Sequence, residues 1–158
     1  MENTRFRFAK REDTPLILDF IKELAEYEKM SEEVVADERI LSEWIFDKQK
    51  AEVIFAIENG KEVGFALFFH NFSTFLGRAG IYLEDLFVKP EYRKRGHGKA
   101  LICELARIAK SRGCGRLELS CLDWNAPSID FYLSLGATKM DDWTIYRFTG
   151  KSLENLAK

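Results

Sequence analysis

Residues 81–99, IYLEDLFVKPEYRKRGHGK, constrain the fold of this chain more than any other stretch. A mostly apolar, strand-like run meets Pro90 and then a basic turn. Beyond it Leu101, Leu105 and Ile108 recur at i, i+4 and i+7, the spacing of one helix face. A strand must therefore enter a helix through Arg93, Lys94, Arg95, Gly96, His97, Gly98 and Lys99. The start of a helix offers unpaired backbone N–H groups and the positive end of its dipole, so these cations sit where an anion is already favoured. Glycine at 96 and 98 lets a phosphate approach the backbone. Two common phosphate loops are excluded. A Walker loop needs glycine at 93 and Ser or Thr at 100, where the chain has Arg93 and Ala100. A dinucleotide fingerprint needs a small residue where Leu101 stands, although Glu118 lies at a suitable distance downstream. A phosphate turn of another type remains, or a glycine turn whose basic residues are simply solvated.

The rest of the chain supplies the frame. Residues 5–9 alternate as a short strand, and Ile17, Phe20, Ile21 and Leu24 follow Pro15 at helical spacing to about Glu28. Asp37 caps a second helix that carries Ile40, Leu41, Trp44 and Ile45 and ends near Asp47. Residues 53–57 and 63–69 are strand-like and flank Asn59-Gly60, a tight-hairpin signal. A third strand spans residues 79–88, another 117–122, and a last one 144–148. Asn125 caps a helix that runs through Leu135 to Gly136. This order predicts a single α/β (α+β mixed) domain over residues 1–158, a mixed sheet flanked by helices. At 158 residues there is material for one core. The longest apolar run, 63–69, is too short for a membrane span, which needs roughly 18 residues. Residues 1–13 lack the apolar centre of a signal peptide, which points to the cytoplasm. Cys103, Cys114 and Cys121 have neither disulfide-scaffold nor zinc spacing and are expected to be reduced, with no metal centre.

Four segments resemble one known family, the GNAT acetyltransferases, and within it the spermidine/spermine (diamine) and thialysine acetyltransferase branch. They are IKELAEYEKM at 21–30, IYLEDLFV at 81–88, YRKRGHG at 92–98 and WNAPSIDFY at 124–132, in the family's order. Lys94 stands where some members have glycine, and the hairpin around Asn59 is shorter than in the mammalian polyamine enzymes. The resemblance implies a mostly antiparallel, twisted mixed sheet of six to seven strands with about four helices. It also implies acetyl-CoA as acetyl donor. By the same resemblance, the cofactor would be held by Leu86, Phe87 and Val88, by Arg93 to Lys99 in the turn, and by Asn125, Ala126, Pro127, Ser128 and Tyr132.

A lysine-like amine, with a pKa of about 10.4, is neutral in roughly one molecule in a few thousand at pH 7, and only the neutral form attacks a thioester. Glu84, inside an apolar strand, is the expected base, its pKa raised by burial. The resemblance assigns it that role and makes Tyr132 the acid that protonates the leaving thiolate. Asp85 is expected on the opposite face of a regular strand. Glu118, Leu119 and Ser120 would line the amine's path, and Tyr27 and Glu28 match acceptor-contacting positions. Residues 19–47 carry ten acidic and three basic side chains, whereas residues 89–116 carry nine basic and two acidic ones. The overall charge of −2 argues against nucleic acid, and the split suits a small cationic amine beside an anionic cofactor. Alternatives are acetylation of an antibiotic, amino acid or protein amine, or a non-catalytic acyl-CoA-binding module. Phe65, Phe68 and Phe69 are expected in the core. Phe72 and Phe75 are candidates for a homodimer contact, since relatives are commonly dimers.

Overall fold

Asn59 and Gly60 both take left-handed φ, 50° and 78°, as a two-residue hairpin turn requires. They fold β2 (Glu52–Glu58) onto β3 (Lys61–Ser73). The computed structural model describes residues 4–158. β1 (Arg5–Phe8) pairs with β2, and β4 (Arg78–Val88) with β3, all antiparallel; β5 (Leu117–Leu119) joins β4 in parallel. The sheet order is β1-β2-β3-β4-β5. A parallel neighbour needs a crossover, supplied by α3 (His97–Ser111).

Each face of the sheet has its own core. Leu101, Leu105 and Ile108 of α3 cover one face, packing on Ile54, Val63, Phe68, Ile81 and Leu83. α1 (Thr14–Tyr27) covers the other with Ile17, Phe20 and Leu24 against Phe55, Phe65 and Phe87. Phe20 and Phe65 stack with ring centroids 5.1 Å apart. The expected second helix is real but changes pitch: α2 (Glu38–Ser42) runs on as a π turn over Glu43–Asp47, where Lys48 N donates to Glu43 O. Ile45 is buried in that turn. Phe65 and Phe68 are buried and Phe69 packs on Tyr82, whereas Phe72 and Phe75 are exposed.

β4 is not regular. Leu67 pairs with Asp85 and Phe68 with Leu83, so Glu84 is the extra residue of a β-bulge. The bulge exchanges the strand's faces. Ile81 and Leu83 point into the α3-side core, and beyond the bulge Leu86 and Val88 take that side while Phe87 joins the α1 side. Asp85 therefore shares the α1 side with Phe87, and the expectation that it faces away from Glu84 is corrected. β5 pairs only as far as Leu83, the last residue before the bulge, so the strand expected over residues 117–122 ends at Leu119.

The chain divides into two compact units, the first ending at Ser120 and the second spanning Cys121–Lys158. In the second, Asn125 Oδ1 accepts from Ser128 N at 3.3 Å and caps α4 (Ala126–Ser134), with Pro127 in its first turn. Gly136, at φ 100°, follows the helix end, as its sequence position requires. α5 (Gly150–Leu156), not foreseen, starts at a capping box of Thr149 and Ser152. Residues 144–148 form no strand. Their alternation supplies two faces, but a strand also needs a neighbour for its N–H and C=O groups, and this unit contains two helices and no strand. Among the described residues the sheet thus has five strands with five α-helices, instead of six to seven with about four. No helix among the described residues is long and apolar enough to cross a membrane.

Candidate active site

The bulge brings three carboxylates into one neighbourhood. Glu28 caps the C-terminus of α1, and Glu84 and Asp85 lie on β4. Burial, then the charges of Glu84 and Glu28, push the Asp85 carboxyl up to about 7. Burial and the charge of Glu84 also raise Glu28. Glu84 itself is exposed. The burial that was expected to turn Glu84 into a base falls instead on Asp85, because the extra residue of a bulge is the one pushed out of the ladder. Carboxylates crowded in this way favour a cation beside them and titrate closer to neutrality than free ones.

Next to the patch, β4 runs on to Val88 after β5 has left the ladder, so from Glu84 onward the β5-facing edge has no strand partner among the described residues. Leu86, Phe87 and Val88 lie on this open edge, whose backbone polar groups suit an extended amide-bearing chain. The turn follows. Lys94 takes φ 63° and Gly96, the N-cap of α3, φ 88°. A side-chain carbon built on Gly96 would meet nothing within 4 Å, so the space above the helix start is open. The helix begins its own ladder at Ala100 N, which donates to Gly96 O at 2.9 Å, leaving the N–H groups of His97, Gly98 and Lys99 without intrahelical partners. This cradle fits a pyrophosphate.

The cations do not all point there. Arg93 donates from Nε to Val88 O at 2.8 Å, and its guanidinium lies 5.3 Å from the Tyr27 ring and 5.0 Å from that of Phe87. It joins α1 to the end of β4. Arg95 pairs with Glu58 and lies over Tyr92. The His97 ring is buried between Thr4 and Glu58, so His97 offers an incoming anion its backbone alone. Lys94 and Lys99 are exposed. Glu58 was not foreseen: it sits beside a turn, where a glutamate ordinarily reads as solvated, and its partners lie 37 and 39 residues away.

On β5, Glu118 accepts from Asn71 Nδ2 at 2.9 Å and Leu119 packs against the α3-side core; just past the strand, the Ser120 hydroxyl bonds the Tyr82 hydroxyl. Of these three, Leu119 is turned into the core. In the second unit Asn125 caps α4, which carries Ala126, Pro127 and Ser128 in its first turn and Tyr132 further along, its ring 5.1 Å from that of Phe131.

Comparison with known proteins places the chain in a family. The model of the acetyltransferase (GNAT) family matches residues 17–137. A thialysine N-epsilon-acetyltransferase from Bos taurus is 40% identical over 163 residues, covering 96% of this chain and 95% of that protein. An integron cassette protein from the mobile metagenome of V. cholerae has a TM-score of 0.82 at 29% identity, over 100% of this chain and 99% of its own. A protein from Clostridium acetobutylicum, described as a predicted acetyltransferase with acetyl-CoA, has a TM-score of 0.73 at 18% identity, over 92% of this chain and 96% of its own. That last likeness is one of fold. With the family model spanning most of its length and a 40% identical relative spanning nearly all of it, the chain belongs to the GNAT family as an N-acetyltransferase that moves an acetyl group to an amine.

Proposed function

We propose that the donor is acetyl-CoA and that the acceptor is a primary amine of a small cation, lysine-like as in thialysine, or a diamine or polyamine. The observation that carries this reading is the patch of Glu28, Glu84 and Asp85, in which burial and neighbouring carboxylates raise two of the three acids and no cation figures among the causes. Such a patch is relieved by a bound ammonium group. The bovine relative's activity on thialysine supports the lysine-like class.

Acetyl-CoA, when bound, supplies an acetyl group activated as a thioester. The chain's residues do the rest. His97, Gly98 and Lys99 would hold the pyrophosphate with backbone N–H groups at the Gly96 cap, and the β4 edge at Leu86, Phe87 and Val88, where Arg93 already takes Val88 O, would hold the pantetheine arm. Asn125, Ala126, Pro127 and Ser128 form the second cofactor-contacting segment. Tyr27 and Glu28 hold the distal part of the amine. The ammonium proton passes to Glu84, directly or through water, and Asp85, balanced near neutrality, shares it. Tyr132 would hold a proton at its phenolic oxygen as the general acid.

The test is release of free CoA from acetyl-CoA across thialysine, lysine, ornithine, spermidine and spermine. Turnover with at least one is expected. Silence with all five ends this acceptor class, and binding of acetyl-CoA without turnover on a wider amine panel would favour a binding module.

A further inference from the structure

One carboxylate grips the turn on both sides of its most permissive residue. Glu58 is the last residue of β2, placed by the Asn59–Gly60 turn and paired across the hairpin with Lys61. Its Oε1 accepts from His97 Nε2 at 2.7 Å and its Oε2 from the Arg95 guanidinium. Gly96 lies between those two partners. An ionised carboxylate only accepts, so Nε2 carries the proton, and Nδ1 faces Thr4 Oγ1 at 2.8 Å. His97 is 3% exposed, so its ring is fixed from both nitrogens inside the fold. Arg95 is held by Glu58 and lies over the Tyr92 ring, but it is not enclosed. A hollow of about 400 Å³, lined by Glu58, Asn59, Lys61, Glu91, Tyr92 and Arg95, leaves about half of its side chain in solvent.

Charge alone would make Glu58 a poor neighbour for an anion site, since a carboxylate there repels phosphate and occupies a cation. Its geometry gives a different role. A turn with left-handed φ at both Lys94 and Gly96 has no ladder of its own, and glycine there leaves much conformational freedom to lose. We propose that Glu58 is a positioning residue for acetyl-CoA: by holding Arg95 and His97 together it presets the 94–99 turn in the shape that receives the cofactor's pyrophosphate. This rests on the assignment of that turn to acetyl-CoA. Preorganisation shows in affinity, because ordering no longer has to be supplied on binding.

The experiment compares wild type with Glu58→Asp and Glu58→Gln by calorimetric CoA affinity, by amide hydrogen exchange of residues 94–99 in the free protein, and by steady-state kinetics. Aspartate keeps the charge but is too short to reach both partners; glutamine keeps the reach but loses the charge. CoA binding is expected to weaken about threefold in the aspartate variant and about tenfold in the glutamine variant, in line with losing charge-assisted hydrogen bonds. Exchange in the turn speeds up in both, while KM for the amine and kcat at saturating acetyl-CoA stay within about twofold. A purely structural role would lower thermal stability without singling out CoA affinity or the turn's exchange. Unchanged or tighter CoA binding in both variants overturns the proposal, tighter binding meaning that repulsion by Glu58 outweighs its hold on the turn. Should the glutamine variant not fold, the aspartate variant decides alone. A wild-type protein that binds no CoA removes the cofactor assignment, and this proposal with it.

Discussion

The two charged regions that flank the end of β4 are built in opposite ways. On the acidic side, Glu28, Glu84 and Asp85 crowd one another, and Glu28 and Asp85 are pushed upward, the direction of carboxylates lacking a counter-charge. On the basic side, two arginines are already engaged, Arg93 with Val88 O and Arg95 with Glu58, while Lys94 and Lys99 stay exposed. Glu58 is correspondingly held below the usual carboxylate range, first by its hydrogen bond from His97 and then by Arg95. The acidic side keeps its electrostatic strain for the ligand to relieve. The basic side commits two arginines to shape, and on the proposed reading the backbone N–H groups of residues 97–99 would take most of the phosphate. A variable cation suits the first arrangement, and an invariant pyrophosphate suits the second.

The sharpest way to break this contrast is to remove the acids. Glu84→Gln is expected to lower kcat/KM by about 100-fold or more near neutral pH, the usual scale for losing a general base. The deficit should shrink at higher pH, where more of the amine is neutral without help. A flat ratio to wild type across pH would dismiss Glu84 as the base. Tyr132→Phe should cut kcat by about tenfold or more while CoA affinity holds; unchanged turnover would take Tyr132 out of the mechanism.

Asp85→Asn probes the strain itself. An acid whose folded pKa is raised to about 7 from an ordinary 3.8 binds more protons in the native than in the unfolded state between those values. Wild-type stability should therefore fall as pH rises from about 4 to about 7 through this group, and level off above. The asparagine variant lacks that loss. It should match wild type within error at pH 4 and exceed it by roughly 1–3 kcal/mol at pH 8, read from denaturant unfolding. Equal stability at both pH values would mean that Asp85 is not strained.

Where the sequence was readable, a local rule sufficed. The Asn59-Gly60 turn, the Ile17, Phe20 and Leu24 face of α1, the Asn125 cap and the glycine turn before α3 each rest on residues within a few positions of one another. Two failures share a cause. The bulge at Glu84 leaves no local mark, because IYLED reads equally well as an unbroken strand, and only the partner strand reveals the extra residue. The pairing of Glu58 with Arg95 and His97 depends on two segments meeting far apart in sequence. Residues 144–148 fail in the reverse direction: the pattern is present and the partner that would make it a strand is not in its unit. Patterns report faces, whereas site geometry came from pairings.

The smallest expected effect tests the basic side. Lys94 holds φ 63° without being glycine, which costs about 1 kcal/mol. Lys94→Gly removes that strain but adds freedom to the unfolded chain, about 0.5–1 kcal/mol in the other direction, so stability should change by less than about 0.5 kcal/mol. Lys94→Ala keeps the strain and, like glycine, removes the exposed ammonium. If shape dominates on this side, both variants should bind CoA within about threefold of wild type, with only a slightly shallower dependence on salt. A loss of about tenfold or more common to both would show that the charge of Lys94 carries phosphate binding, and would undo the contrast drawn between the two sides.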